Sequence, residues 1–305
     1  MAKTAPVALF VYNRLDHVQR TIQALKRNSL APLTDLVIYS DGPKNETETR
    51  QVTSVRSYAA RLDGFRSVRL IKRDQNLGLA GSLTVGIRET VAEHGRVIVL
   101  EDDIVTSPYF LTFMKEGLSA YEDDERVISI HGYVYPVRSP LPETFFLRGA
   151  DCWGWATWER GWKLFDADAS RLLAQIREQR LGHEFDFNGS YPYVKLLEDQ
   201  AAGRVDSWAI RWYASAFIQG RYTLYPGRSL VMNIGTDASG THCVATDQFD
   251  SLLSATPVRV VRRQVVRGSR AAFKAIEMFF RGDRYNRPQR ALQRFYYLIE
   301  RAAER

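Results

Sequence analysis

The stretch Arg96-Val97-Ile98-Val99-Leu100-Glu101-Asp102-Asp103 decides the fold. Its four apolar, mostly β-branched residues read as a short strand buried on both faces, as in a parallel sheet. Three carboxylates follow without a break. Acidic side chains repel one another and resist dehydration, so such a cluster at the mouth of a buried strand calls for a cation. Open α/β sheets bind ligands beyond the carboxyl ends of their strands, where hard oxygen donors suit Mg2+ or Mn2+ carrying a phosphate. The competing reading is a solvated acidic turn that caps the helix expected from about Ser107.

The preceding sequence repeats the strand-then-polar-end pattern. Pro6 to Tyr12 reads as a buried strand ending in Asn13-Arg14, followed by a helix with Val18, Ile22 and Leu25 on one face. Leu33 to Tyr39 gives a strand that stops at Asp41-Gly42-Pro43, and Phe65 to Ile71 one that runs into Arg73 and Asn76-Leu77-Gly78. A helix from about Ala80 to His94 leads into the organising strand. Strands alternating with helices imply βαβ units, a parallel sheet, and strand ends gathered on one edge. That edge would collect Asn13, Arg14, Asp41, Arg73 and Asn76 beside residues 101–103. Neither GxGxxG nor GxxxxGK[ST] occurs near a strand, which disfavours a dinucleotide dehydrogenase or a P-loop kinase. Phosphate charge would be met by metal and arginine instead.

After Asp103 the alternation stops. A helix from about Ser107 to Tyr121 and a strand at Val127–Ile130 precede Gly149-Ala-Asp-Cys-Trp-Gly-Trp-Ala-Thr-Trp158. Its tryptophans are either core packing or a platform for a sugar ring, whose apolar faces stack on indole. A polar helix follows around Ala169 to Gln179. Asp206 comes just before another expected helix, as a cap or a catalytic carboxylate. Leu224 to Gly235 reads as a strand pair with a turn, and Thr236 to Cys243 as a polar loop. Its His242 is either surface or a ligand for Mn2+.

The 305 residues, 45% hydrophobic and 25% charged, suit one large α/β domain with an appendage or two small domains. No apolar run is long enough to cross a bilayer, and the N-terminus lacks a signal-peptide pattern. With only Cys152 and Cys243, the expected location is a reducing cytoplasm. The net charge of +7 is uneven: residues 257–305 hold 13 Lys and Arg against 4 Asp and Glu, which leaves the remainder nearly neutral. That tail reads as two basic amphipathic helices, Val258 to Phe280 and Pro288 to Ala303. They either pack back on the body or lie on an anionic membrane surface at the inner face of the membrane. Nucleic acid is disfavoured, since no binding module accompanies the charge.

In order and spacing these segments resemble glycosyltransferases of the GT-A fold. Val11-Tyr12-Asn13-Arg14, Asp41-Gly42 and Asn76-Leu77-Gly78 resemble the nucleotide-binding half of bacterial family 2 transferases. From Val97 onward, Glu101-Asp102-Asp103, Trp153-Gly154-Trp155, Asp206-Ser207-Trp208 and Ser239-Gly240-Thr241-His242 resemble the eukaryotic N-acetylglucosaminyltransferase that begins complex N-glycans. The resemblance covers roughly residues 5–245 and implies a Rossmann-like, mostly parallel central sheet flanked by helices, with a basic helical extension. Residues 1–105 would bind the nucleotide sugar, 106–250 the acceptor, and 251–305 form the tail.

The resemblance further implies inverting transfer from a uridine-linked donor to a saccharide or lipid-linked acceptor, as in bacterial surface polysaccharide synthesis. Asp103 and His242 would bind Mn2+ or Mg2+, Glu101 would orient the metal site, and Asp102 would act through water or the ribose. Asp41 would bind the uracil, with Asn13, Asn76 and Arg14 or Arg73 around the nucleotide. Asp151, Trp153 and Trp155 would meet the acceptor. Asp206 would be the base, although the family's second acidic residue is Ser207 here, which leaves Asp206, Asp151 and Asp199 open. The rival readings are a sugar nucleotidyltransferase and a non-catalytic carbohydrate-binding protein on the same scaffold.

Overall fold

The computed structural model describes residues 4–237 and 246–282. The first half forms β1 (Val7–Val11), α1 (Leu15–Lys26), β2 (Asp35–Ser40), α2 (Glu46–Ala59), β3 (Ser67–Lys72), α3 (Gly78–His94) and β4 (Arg96–Glu101). These strands pair in parallel in the order β3-β2-β1-β4. Alternation along each strand sorts the side chains between two cores. Val7, Leu9, Ile38, Ile98 and Leu100 pack with α1 and α2 on one face, and Ala8, Phe10, Tyr39, Val97 and Val99 with α3 on the other. Helices on both faces explain why these strands read as unbroken apolar runs.

The second half adds β5 (Ile104–Thr106), α4 (Phe110–Ala120), β6 (Val127–His131), β7 (Thr144–Arg148), β8 (Trp155–Trp158), α5 (Glu159–Trp162), α6 (Ala169–Glu178), α7 (Gly182–Phe185), α8 (Tyr193–Ala201), α9 (Trp208–Ile218), β9 (Tyr222–Pro226), β10 (Val231–Asn233) and α10 (Arg270–Phe280). The sheet continues from β4 as β8-β6-β9-β7, with β8 antiparallel to both its neighbours. The whole is a mixed sheet of eight strands in which parallel pairings predominate, the α/β architecture expected.

The second half of the tryptophan segment is β8, in the middle of the sheet. Two local expectations need correction. Residues 224–235 do not form a strand pair. The Leu230 N–H donates to the Gly132 carbonyl (2.8 Å) and the Leu230 carbonyl accepts from the Ser107 N–H (2.8 Å). Those bonds steer the chain away from β9, so that β10 pairs with β5 in a separate two-stranded ribbon. Helix also begins later than expected in the tail. Val258, Val260, Val261, Val265 and Val266 resist helix through their branched Cβ, and 257–269 lies over the body, burying Val258 and Val266 in its core. Helix starts only after Ser269, whose hydroxyl caps the Ala272 N–H (3.3 Å). The expected helix Pro288 to Ala303 lies outside the described residues. Among the described residues, no helix is long and apolar enough to cross a membrane.

Candidate active site

At the carboxyl edge of the parallel strands, one face of α1 meets the acidic triplet. Arg14 bridges Asp102 and Asp103, lying 2.7 Å from Asp103 Oδ2. The Thr21 hydroxyl donates to the Asp102 carbonyl (2.8 Å), and His17 Nε2 lies 3.2 Å from Asp237 Oδ2. Arg14, His17 and Thr21 fall three and four residues apart, the spacing of one helix face; that signal was present in the sequence but covered only Arg14. Opposite, the Ile234 N–H donates to the Asp103 carbonyl (2.8 Å). Gly235 passes so close that any side chain there would run into the Asp103 carboxylate.

One guanidinium does not satisfy three carboxylates. Burial, and then Asp103, push the Asp102 carboxyl up to about 6. Burial with Asp103 and Asp102 holds Glu101 well above the usual carboxylate range. Burial works against the charge on Arg14, but Asp102 and Asp103 outweigh it and raise its pKa above the ordinary value. Asp102 and Asp103 therefore fit a hard divalent cation by donor type and by their residual negative charge. Among the described residues, no group of three His, Cys, Asp or Glu side chains comes together to hold one. His242 lies outside the described residues.

The neighbouring strand ends are knitted together. Both oxygens of the buried Asp41 accept from the Leu77 N–H (2.9 and 3.1 Å), and Oδ1 also from the Gly42 N–H (3.0 Å). Asn76 donates to the Gly42 carbonyl (2.7 Å). Arg56, which sequence reasoning passed over, ties the Ser40, Asp41 and Arg73 carbonyls together (3.3, 3.1 and 2.7 Å). Asn13 bonds Gln51 (3.2 Å). The Arg73 guanidinium is engaged by Glu89 (2.9 Å) above the Tyr39 ring, so of the two expected arginines it is Arg14 that reaches the triplet.

Beside the triplet lies an aromatic cavity of about 210 Å³, lined by Tyr135, Asp151, Trp153, Tyr193, Tyr213 and Tyr225 among others. Gly154 turns the chain from residues 151–153 into β8 with a left-handed φ of +61° that a side chain would strain. β8 runs antiparallel to β4, with Trp155 opposite Val99, so residues 151–153 head toward the triplet. The Cys152 thiol, pushed well up by burial and Asp151, also feels Glu101 and Asp103. Cavity and triplet are thus neighbours across Cys152. Asp151 Oδ1 accepts from the Cys152 N–H (2.8 Å), while Oδ2 faces the Tyr135 hydroxyl (3.4 Å) and His131 Nε2 (3.6 Å). The tyrosines come from separate segments, and no local motif marks them.

Trp153 forms one wall, edge-on to Tyr133 and Phe249. Trp155 does not: it is 0% exposed, packed among Trp162, Trp208 and Trp212, and has no face open to a sugar. Trp158 is also buried, on the opposite side of the sheet. The Asp206 side chain is 63% exposed and pairs with Arg211 (3.1 Å), while its neighbour Ser207 caps α9 and lines the cavity. Asp199 is engaged by Lys195 and Arg204.

The family model described as glycosyl transferase family 2 matches residues 7–159, a span that includes both the triplet and Asp151. No curated protein matches the chain. Among solved structures, S. aureus TarS is similar at 11% identity and a TM-score of 0.41, over 76% of this chain and 37% of TarS. This chain thus spans well under half the length of that protein. A mannosyltransferase of Pyrobaculum calidifontis, in complex with GDP-Man and Mn2+, is similar at 11% identity and a TM-score of 0.39, over 71% of this chain and 69% of its own.

Proposed function

The chain belongs to glycosyl transferase family 2, and we propose that it moves a sugar from a uridine-linked nucleotide diphosphate donor to a saccharide or glycolipid acceptor, with inversion. The observation that carries this reading is the acidic triplet and the aromatic cavity meeting across Cys152. Asp103 and Asp102 would hold a Mg2+ or Mn2+, which when bound would supply positive charge against the departing diphosphate. Arg14 holds those two carboxylates in register. The clasp of Asp41, Gly42 and Asn76 shapes the nucleotide end of the crevice. Trp153 and the tyrosines offer ring faces to the acceptor.

Asp151, rather than Asp206, is the general base of this proposal. It lies in the cavity wall next to the donor edge, whereas the Asp206 carboxylate stands in solvent on an arginine. As the acceptor oxygen bonds to the anomeric carbon and the bond to the diphosphate breaks, the hydroxyl proton passes to Asp151. Inversion requires no second protein nucleophile. The strip 257–270, with Arg259, Arg262, Arg263, Arg267 and Arg270 beside the exposed Val261 and Val265, suits an anionic membrane surface.

The test is thermal. Uridine diphosphate with Mn2+ should raise the melting temperature of the parent protein, since a ligand that binds only the native state stabilises it. Asp103→Ala should remove that rise along with turnover. An undiminished rise in the variant would overturn the donor site.

A further inference from the structure

We infer that His131 is a positioning residue for Asp151, its imidazole sealed behind the carboxylate and donating Nε2–H to Oδ2 once an acceptor enters the cavity. This rests on the reading of Asp151 as the base. His131 ends β6, a strand flanked on both sides within the sheet, and is 0% exposed. The rings of Tyr225 and Tyr133 hold it at 5.1 and 6.3 Å between centroids. Among the described residues, neither ring nitrogen has a hydrogen-bond partner, a rare and costly state for a fully buried polar side chain. The carboxylate 3.6 Å from Nε2 is the group it faces.

That separation is too long for a hydrogen bond. A movement of about half an ångström would make one, and catalytic hydrogen bonds of ligand-free enzymes commonly tighten when substrate binds. Asp151 has room to respond, because Oδ1 is fixed by the Cys152 N–H (2.8 Å) while Oδ2 accepts only a long hydrogen bond from the Tyr135 hydroxyl (3.4 Å). The other titratable groups around it are Tyr135, Tyr191, Tyr193, Tyr213 and Tyr225, each pushed up first by burial and then by Asp151, and the Cys152 thiol. The cavity's arginine, Arg148, is turned to Glu184 (3.2 Å) and the Phe217 carbonyl (2.8 Å). Burial lowers the His131 pKa against the pull of Asp151, so the ring is neutral near pH 7 and carries a single N–H. Given to Oδ2, that hydrogen favours the ionised carboxylate, the form a base needs. It also fixes the oxygen that meets the acceptor hydroxyl.

The experiment compares full-length His131→Leu, His131→Gln and Asp151→Asn with the parent. The first readout is the pH profile of uridine diphosphate release with Mn2+, from UDP-glucose, UDP-galactose and UDP-N-acetylglucosamine in turn. With water as the acceptor, leucine should move the acid limb of kcat, which reports the substrate-bound enzyme, upward by about one unit, a roughly tenfold loss at a fixed pH on that limb. Glutamine, whose side-chain N–H can stand in for Nε2–H, should restore it. A merely structural histidine would lower the melting temperature of both variants and leave the limb in place, which would overturn the inference. The second readout needs no turnover: 15N spectra of labelled histidine should show His131 as the Nε2-protonated tautomer, the one that turns its N–H to Asp151. An Nδ1-protonated ring would also overturn the inference. Should Asp151→Asn turn over as the parent does, the base assignment falls first; if Asp151→Asn is dead and His131→Leu keeps the parent limb, only the role of His131 falls.

Discussion

The donor edge and the aromatic cavity treat their carboxylates in opposite ways. At the edge, Asp102 and Asp103 share Arg14, and Glu101 is crowded against both. In the cavity, Asp151 stands among phenols and one neutral imidazole, while Arg148 in the cavity wall is turned to Glu184. In the proposed reading the first arrangement would manage charge that arrives with a ligand. Among the described residues no lysine or arginine pairs with Asp151, so that its lone pairs would remain available to a proton. Asp206 is tied to Arg211 in solvent and meets neither description.

The contrast breaks most directly at the two candidate bases. Asp151→Asn should cut transfer by about 10²–10⁴ with nucleotide affinity preserved, and Asp206→Asn should leave transfer within a few-fold; calorimetry with uridine diphosphate and steady-state rates measure both. A reversal of the two would return the base to Asp206. The tryptophans sharpen the border between cavity and core. Trp155→Ala, which empties a fully buried site, should destabilise by about 3–5 kcal/mol in denaturant unfolding. Trp153→Ala should cost far less stability and should weaken acceptor binding instead. At the donor edge, Arg14→Met leaves two buried carboxylates facing each other. It should cost about 3 kcal/mol, read as a lower melting temperature that Mn2+ partly restores.

The parallel half was legible because each of its signals is local. Four apolar residues followed by acids at 97–103, and the strand–helix alternation before them, follow from burial on two faces and need no distant partner. Arg14 was placed by its position at a strand end, although the pattern it shares with His17 and Thr21 went unread. The cavity was much harder to see. Tyr135, Tyr193, Tyr213 and Tyr225 come from a loop, two helices and a strand, and only the tertiary fold brings them to Asp151. Trp153 and Trp155 look equivalent in sequence, yet Gly154 and the start of β8 send one into the cavity and the other into the core. Periodicity over four residues cannot show that. The tail departs from expectation only in part, for a similar reason: its basic amphipathic pattern suggests helix from Val258, where valines make a non-helical strap over the body as far as Ser269.

The antiparallel seat of β8 between β4 and β6 has an evolutionary consequence. The segment that delivers Asp151 and Trp153 is anchored by a tryptophan cluster on one face and the main core on the other. Drift there would threaten the whole molecule. The remaining walls, around Phe187, Tyr191 and Phe280, come from helices and loops outside the central sheet. Under the proposed assignment of Asp151, new acceptors would be reached by remodelling that outer half, with the half that carries Asp151 inherited intact.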